Sequence, residues 1–388
     1  MDASASVSRQ EIRFCRAPDG VRIAYAVHGS GPPMVVDSCW LSHLQYDWQS
    51  PVWRHYLAEW GRDHTVIRFD ERGHGLSDRG VVDHSLAARL GDLEAVVEDA
   101  GVDRFALQAM AQGGPVAIAY VAKHPERVSR LVFYGSYSGQ QSKDPTEAEM
   151  NDTLDALIKV GWARPDSAFR RVFTSLMIPR ATEEQHTWLD ELQRVATDAD
   201  TARSSRRQRL AADSSALLGE LDVPTLVIHS RGDRMNDFEE ARYLAAGIDG
   251  ARLVALESDN HIVLEDEAAW PVYVAELRDF LAEDRTRGHV GPAATVTGAA
   301  GAAGSAGSAG SAGSAGSAGG GEGLDQLSTR EVEILRLASE GLDNDVIARE
   351  LTLSVRTVER HLSNVYAKLD LHGKSARTAA VARLLTRA

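Results

Sequence analysis

The sequence predicts an α/β domain carrying a helical insertion, followed by a small all-α domain, on three observations. Strand-like and helix-like segments alternate through the first two thirds of the chain, the pattern of a mostly parallel sheet with helices on its faces. A run of glycine, alanine and serine, Gly298–Gly323, then interrupts every hydrophobic period. Four short amphipathic helical segments close the chain. At 388 residues, 43% apolar and 25% charged, the polypeptide is long enough for two cores.

Taken in order, the strand candidates are Met34–Val36, Thr65–Phe69, Phe105–Gln108, Arg130–Tyr134, Thr225–His229 and Arg252–Leu256. Helical periodicity marks Ser85–Ala100, Gly113–His124, Phe238–Ala246 and Ala268–Leu281. Between about 142 and 218 the strand signal stops, and helical stretches such as Ala148–Val160 and Glu183–Val195 take over. Such a block, inserted between strands, reads as a lid over the carboxyl edge of the sheet, where open α/β sheets hold ligands. The N-terminus lacks a basic start followed by an apolar run, and about 18 consecutive apolar residues occur nowhere. A cytoplasmic protein without membrane contact is expected, with Cys15 and Cys39 as buried thiols rather than a bridge or metal site.

Four motifs are specific. Asp70-Glu71-Arg72-Gly73-His74-Gly75-Leu76-Ser77-Asp78 resembles the D-x-R-G-x-G-x-S-D turn of α/β-hydrolases. Gln112-Gly113-Gly114-Pro115-Val116-Ala117 resembles the start of the helix that follows their nucleophile elbow. Gly232-Asp233 is similar to the acid turn and Asn260-His261 to the catalytic-histidine loop, in the family's order. The resemblance covers residues 10–283 and implies an α/β-hydrolase fold with a helical lid. It does not imply the chemistry. The elbow of the family is G-x-S-x-G, and here it reads Ala109-Met110-Ala111-Gln112-Gly113. Ala111, at the nucleophile position, has no lone pair with which to attack a carbonyl. Loss of a triad serine costs roughly six orders of magnitude in kcat. Family members also usually carry His-Gly after the third strand, where this chain has Ser38-Cys39-Trp40. The amides of Gln112 and Trp40 remain candidates to meet a ligand oxygen.

The aromatics Trp40, Trp48, Trp53, Trp162 and Trp188 are candidates for the same cavity, each weighed against ordinary packing. Together with Gln112 and His261, Trp40, Trp48 and Trp162 form the expected ligand site for a small, largely apolar, oxygen-bearing effector. Neither a phosphate-cradling glycine loop nor zinc-ligand spacing is present, so no nucleotide or metal cofactor is expected.

Residues 284–323 read as a flexible linker, whose root-mean-square span is about 30–36 Å. A tether of that kind transmits no torque, so any communication runs through dimerisation or direct contact between the domains. The net charge of −14 divides unevenly. Residues 324–388 hold ten basic and nine acidic residues, and Ser354–Ala388 alone carries seven basic against two acidic. Ser328 or Thr329 caps a helix whose apolar residues are Val332, Leu335, Leu337 and Ala338, stopped by Gly341. Further helices are expected at Asp345–Leu351, Val355–Leu369 and Ser375–Leu385, with a turn at Thr352–Ser354. Leu327-Ser328-Thr329-Arg330-Glu331-Val332-Glu333-Ile334-Leu335, Ile347-Ala348, Ser354-Val355-Arg356-Thr357-Val358-Glu359-Arg360-His361 and Lys368-Leu369 resemble the LuxR-type (GerE-like) helix-turn-helix. The resemblance implies base reading by Glu359, Arg360 and Ser363 and phosphate contacts from Arg356, Thr357, His361 and Lys368 on double-stranded DNA. It also implies a homodimer paired through the fourth helix.

The expected function is a LuxR-family transcription regulator whose catalytically impaired hydrolase-like domain, residues 1–283, senses a small molecule for the DNA-binding domain at 324–388. Three alternatives stand beside it, the first two being an active enzyme using His261 and Asp233 as a base dyad and a nucleophile-knockout variant of a catalytic sensor. A pure dimerisation module is the third.

Overall fold

The computed structural model describes residues 9–37, 41–139, 145–164, 168–282, 326–339, 342, 344–351, 353–369, 371 and 376–387. Eight strands form one mixed sheet: β1 (Glu11–Arg16), β2 (Arg22–Gly29), β3 (Pro33–Asp37), β4 (Thr65–Phe69), β5 (Phe105–Met110), β6 (Val128–Tyr134), β7 (Thr225–Ser230) and β8 (Arg252–Leu256), in the order β1-β2-β4-β3-β5-β6-β7-β8. β3 through β8 run parallel, whereas β2 pairs antiparallel with both β1 and β4. The six strands read from sequence are all present. The β1–β2 hairpin was not anticipated, although its turn carries Pro18-Asp19-Gly20, with Gly20 at φ +90° as a tight reversal requires.

Alternate side chains of each central strand serve opposite faces, as strand pleating dictates. Met34 and Val36 enter one core and Val35 the other. Helices α3 (Leu86–Asp99), α4 (Gly114–Lys123) and α9 (Phe238–Gly247) contribute to the Val35 face. The Val36 face receives α2 (Arg54–Asp63), α10 (Ala269–Ala282) and the insertion between β6 and β7. A one-turn helix, α1 (Leu44–Asp47), precedes α2.

The insertion is helical, as the sequence indicated: α5 (Pro145–Gly161), α6 (Ala168–Met177), α7 (Glu183–Ala196) and α8 (Ala199–Leu210). Its inward side chains, among them Leu154, Leu157, Ile158, Trp162, Phe173 and Met177, join the core that contains Ala111. Helix α8 is tied down by charge: Arg209 reaches the buried Glu71, which also pairs with Arg89 of α3 at 3.0 Å.

At the other end, α11 (Thr329–Ser339), α12 (Asn344–Glu350), α13 (Val355–Lys368) and α14 (Ala376–Arg387) surround a core of Ile334, Leu335, Ile347, Val358, Leu362, Val365 and Val381. Ser328, not Thr329, caps α11, in a reciprocal box with Glu331: the Glu331 amide donates to Ser328 Oγ at 3.3 Å and the Ser328 amide to the carboxylate at 2.7 Å. The expected linker 284–323, Gly341 and Cys39 lie outside the described residues. Cys15 is a buried free thiol.

Candidate functional site

Strand β5 ends at Met110, and the chain turns abruptly through a 3₁₀ turn, Ala111–Gly113, into α4. Ala111 sits at φ +46° and, among the described residues, is the one non-glycine with positive φ. An L-residue pays roughly 1–2 kcal/mol for that conformation. The turn is locked from the side by Ser136, whose hydroxyl donates to the Ala111 carbonyl at 2.6 Å. Gly114 is required here, since a Cβ on it would lie 2.4 Å from Ser136 Oγ and 2.0 Å from the Tyr137 carbonyl. Gln112 is buried behind the turn, and its carbonyl accepts from Arg89 at 2.9 Å. The turn is sharp and left-handed at its tip, and the residue at the tip is an alanine.

The acid and the histidine meet as their motifs implied. Asp233 Oδ2 lies 2.6 Å from His261 Nδ1, with both residues buried. The other carboxylate oxygen accepts the amides of Met235 and Asn236, at 2.8 and 3.1 Å. His229, absent from the sequence reading, stands 3.3 Å from the same carboxylate, four residues upstream at the end of β7. Burial works to raise the Asp233 carboxyl, but the His261 and His229 rings prevail and hold it well below the usual carboxylate range. An ionised Asp233 therefore orients the His261 ring. Gly135 completes the arrangement: at φ +56°, a Cβ there would meet His261 Cε1 at 2.9 Å. Glycine and serine at 135 and 136 thus serve the histidine and the elbow from adjacent positions. The lid reaches the same loop, as the His261 amide donates to the Met177 carbonyl at the end of α6 at 2.8 Å.

The Asp70–Asp78 turn is a scaffold. Asp70 accepts from Ser42 Oγ at 2.7 Å and from the Leu44 and Leu76 amides, and a Cβ on Gly75 would lie 2.0 Å from its carboxylate. Arg72 is clamped by Asp92 and Asp19, at 2.7 Å from each.

The aromatic candidates separate. Trp162 is buried in the lid, its indole N–H satisfied by the Thr197 carbonyl at 3.0 Å and its ring against Phe173. Trp53 packs on Tyr56 in the core. Trp188 stacks on Tyr46, with ring centroids 4.9 Å apart. Trp48 takes His28 and Arg54 as its ring neighbours and borders a groove of about 890 Å³ with Arg9, Gln10, Glu11 and Ile12. Trp48 also packs against the core that contains Ala111. Trp40, with Ser38 and Cys39, lies outside the described residues.

Helix α13 presents two faces. Val358, Leu362 and Val365 are buried, while Arg356, Glu359, Arg360 and Ser363 are exposed. Ser354 caps the helix through the Thr357 amide at 3.1 Å, so Thr357 sits in the first turn; His361 is half-buried. Lys368, a sequence candidate for phosphate contact, is exposed at the end of α13 and reaches Glu331 of α11 at 2.7 Å. This ion pair ties the first helix of the domain to the third. The reason lies in the helical repeat: Lys368 is seven residues beyond His361 and falls at the end of α13 that faces α11.

Residues 41–268 match the model of the alpha/beta hydrolase fold. The chain belongs to the α/β-hydrolase-fold family. Residues 325–381 match the bacterial regulatory proteins of the luxR family, so a DNA-binding regulatory domain follows the hydrolase fold in one polypeptide. The hydrolase-fold part is similar to the AB hydrolase superfamily protein YisY of Bacillus subtilis, 25% identical over 243 residues that make up 62% of this chain and 88% of the relative. It is also similar to a cis-3-alkyl-4-alkyloxetan-2-one decarboxylase of Shewanella oneidensis, 24% identical over 299 residues, 72% of this chain and 91% of that protein. Among solved structures, a hydrolase from Pseudomonas aeruginosa superposes with a TM-score of 0.58 at 22% identity, covering 72% of this chain and all of the other, a likeness of fold. Among the described residues no helix is long and apolar enough to cross a membrane.

Proposed function

We propose that this α/β-hydrolase-fold protein is a transcription regulator that holds, without consuming it, a small carbonyl compound between sheet and lid. The observation that carries the reading is Ala111 at φ +46°, beside an assembled Asp233–His261 pair. The elbow geometry that would present a nucleophile is kept, and the atom that would form a bond is absent. A buried imidazole and the amides at the head of α4 suit the oxygen of an intact ligand, and the surrounding core is apolar. One relative is named for a dialkyl oxetan-2-one, a carbonyl compound with apolar substituents.

In this reading residues 1–283 sense, 284–323 tether and 324–388 bind DNA, as a homodimer on two half-sites. Arg360 and Glu359 of α13 read bases, and Arg356 contacts phosphate. Mass spectrometry of compounds that copurify, followed by DNA binding with and without them, tests the proposal. DNA affinity indifferent to every bound compound would remove the sensing role.

The ionised Asp233 against His261 favours one second reading, a base dyad that activates water or a carbon acid. Ester or carbon-acid turnover lost in His261→Ala would select it.

A further inference from the structure

Helix α14 lies against the lid. Helix α5 runs alongside α14, and Arg383 pairs with Glu149 across the contact. Met150 of α5 and Val172 of α6 pack against the helix-turn-helix core. The same two side chains also pack against the hydrolase core that contains Ala111, Trp162 and Met177. They are therefore shared by two cores that the sequence separates by a long glycine-rich segment. On the DNA-binding domain, Arg356, Glu359, Arg360 and Ser363 of α13 stay exposed in this arrangement. The lid thus covers α14 and leaves the DNA-reading face open.

We infer that the outer face of α5 and α6 is a docking surface for α14 of the same chain, and that docking competes with self-association through α14. Among the described residues the contact includes a partly exposed ion pair and two half-buried apolar side chains. Between separate molecules an exposed ion pair of this kind holds only weakly. On a tether, the effective concentration is on the order of a millimolar, enough to keep a weak contact formed and still reversible. When α5 withdraws, Met150 and Val172 lose an apolar cover and α14 is free to take a second copy.

The inner side of the lid supplies the means of withdrawal. Asp155 of α5 pairs with Arg206 of α8 at 3.0 Å and also with Arg207, so α5 moves with α8. The end of α6 holds the His261 amide through Met177. A compound seated at His261 that lifts α5 and α6 carries Met150 and Val172 with it. This step rests on the sensing role proposed above; the docking itself does not.

Glu149 is the position to alter, because Arg383 also donates to the Leu369 carbonyl within its own domain. The full-length chain, Glu149→Arg and Val172→Lys are compared by sedimentation velocity and by hydrogen exchange of segments 145–161 and 376–387. Expected for Glu149→Arg is a roughly fivefold rise in the self-association constant, the factor that corresponds to about 1 kcal/mol, together with faster exchange in 145–161. Wild-type protection of 145–161 should not grow with protein concentration. Unaltered association and exchange in Glu149→Arg would overturn the inference, as would protection of 145–161 that grows with concentration, which marks α5 covered by another copy. Val172→Lys should shift both readouts in the same direction; if it unfolds the lid, Glu149→Arg alone decides. A chain that docks as described but binds no small molecule would sink the sensing role and leave this contact standing.

Discussion

A methyl group at position 111 occupies a left-handed backbone geometry that L-residues avoid, and neighbouring residues hold it there. Ala111→Ser places a hydroxyl at the head of α4, near the ordered Asp233–His261 pair. Hydrolysis of p-nitrophenyl acetate should rise roughly 100-fold over the parent, below the full value of a triad serine because the oxyanion-hole motif differs. A fluorophosphonate should label the variant and not the parent. Gly135 is the second test. A Cβ there meets the His261 ring at 2.9 Å on a backbone with positive φ. Gly135→Ala should cost about 2–4 kcal/mol in urea unfolding, from overpacking and strain together. Position 111 and the acid–histidine pair were legible because they lie in contiguous motifs of fixed order. His229, Gly135 and Ser136 were not, because their roles arise from neighbours on other strands. The ion pair of Lys368 with Glu331 was likewise invisible, because it joins the first and third helices of its domain.

Helices and strands were readable where burial follows a simple period. The parallel strands are apolar runs, and β4 and β8 fall where the sequence placed them. Helix α8 escaped detection because its buried residues are Thr201, Ala202, Ser205 and Arg209, small or charged side chains that leave no hydrophobic period. The lid is held here by the Arg209–Glu71–Arg89 group, so removing one partner strands a buried charge. Arg209→Met should destabilise by about 3–5 kcal/mol, measurable as a lowered urea midpoint of the larger domain. Helix α13 makes a different prediction. Arg360→Ala should lose about 1–3 kcal/mol of binding and relax preference at one base pair, whereas Arg356→Ala should weaken all duplexes alike and reduce the salt slope by about 1. Fluorescence anisotropy on a selected duplex across a salt series separates the two.

Across the whole molecule, burial sets the response to acid. Desolvation lowers His28, His55, His74 and His84 to about 4. Each takes up a proton in the unfolded chain near pH 6.5 and not in the folded one, so each contributes stability above that pH that is lost as pH falls toward 4. Burial also raises Asp47 to about 7 and Asp92 to about 6, which acts in the opposite sense. The histidines are the more numerous. Stability should therefore fall by about 3 kcal/mol per pH unit between pH 6 and 5, two net protons at about 1.4 each; urea midpoints across that interval check both sign and slope. The side chains of Met150 and Val172, which belong to two cores at once, carry a thermodynamic obligation. If a bound compound shifts the chain toward its paired, duplex-competent form by some factor, then operator DNA must tighten the hold on that compound by the same factor. A promoter would then act as an effector of its own regulator, and calorimetric titrations run in either order should close the same cycle.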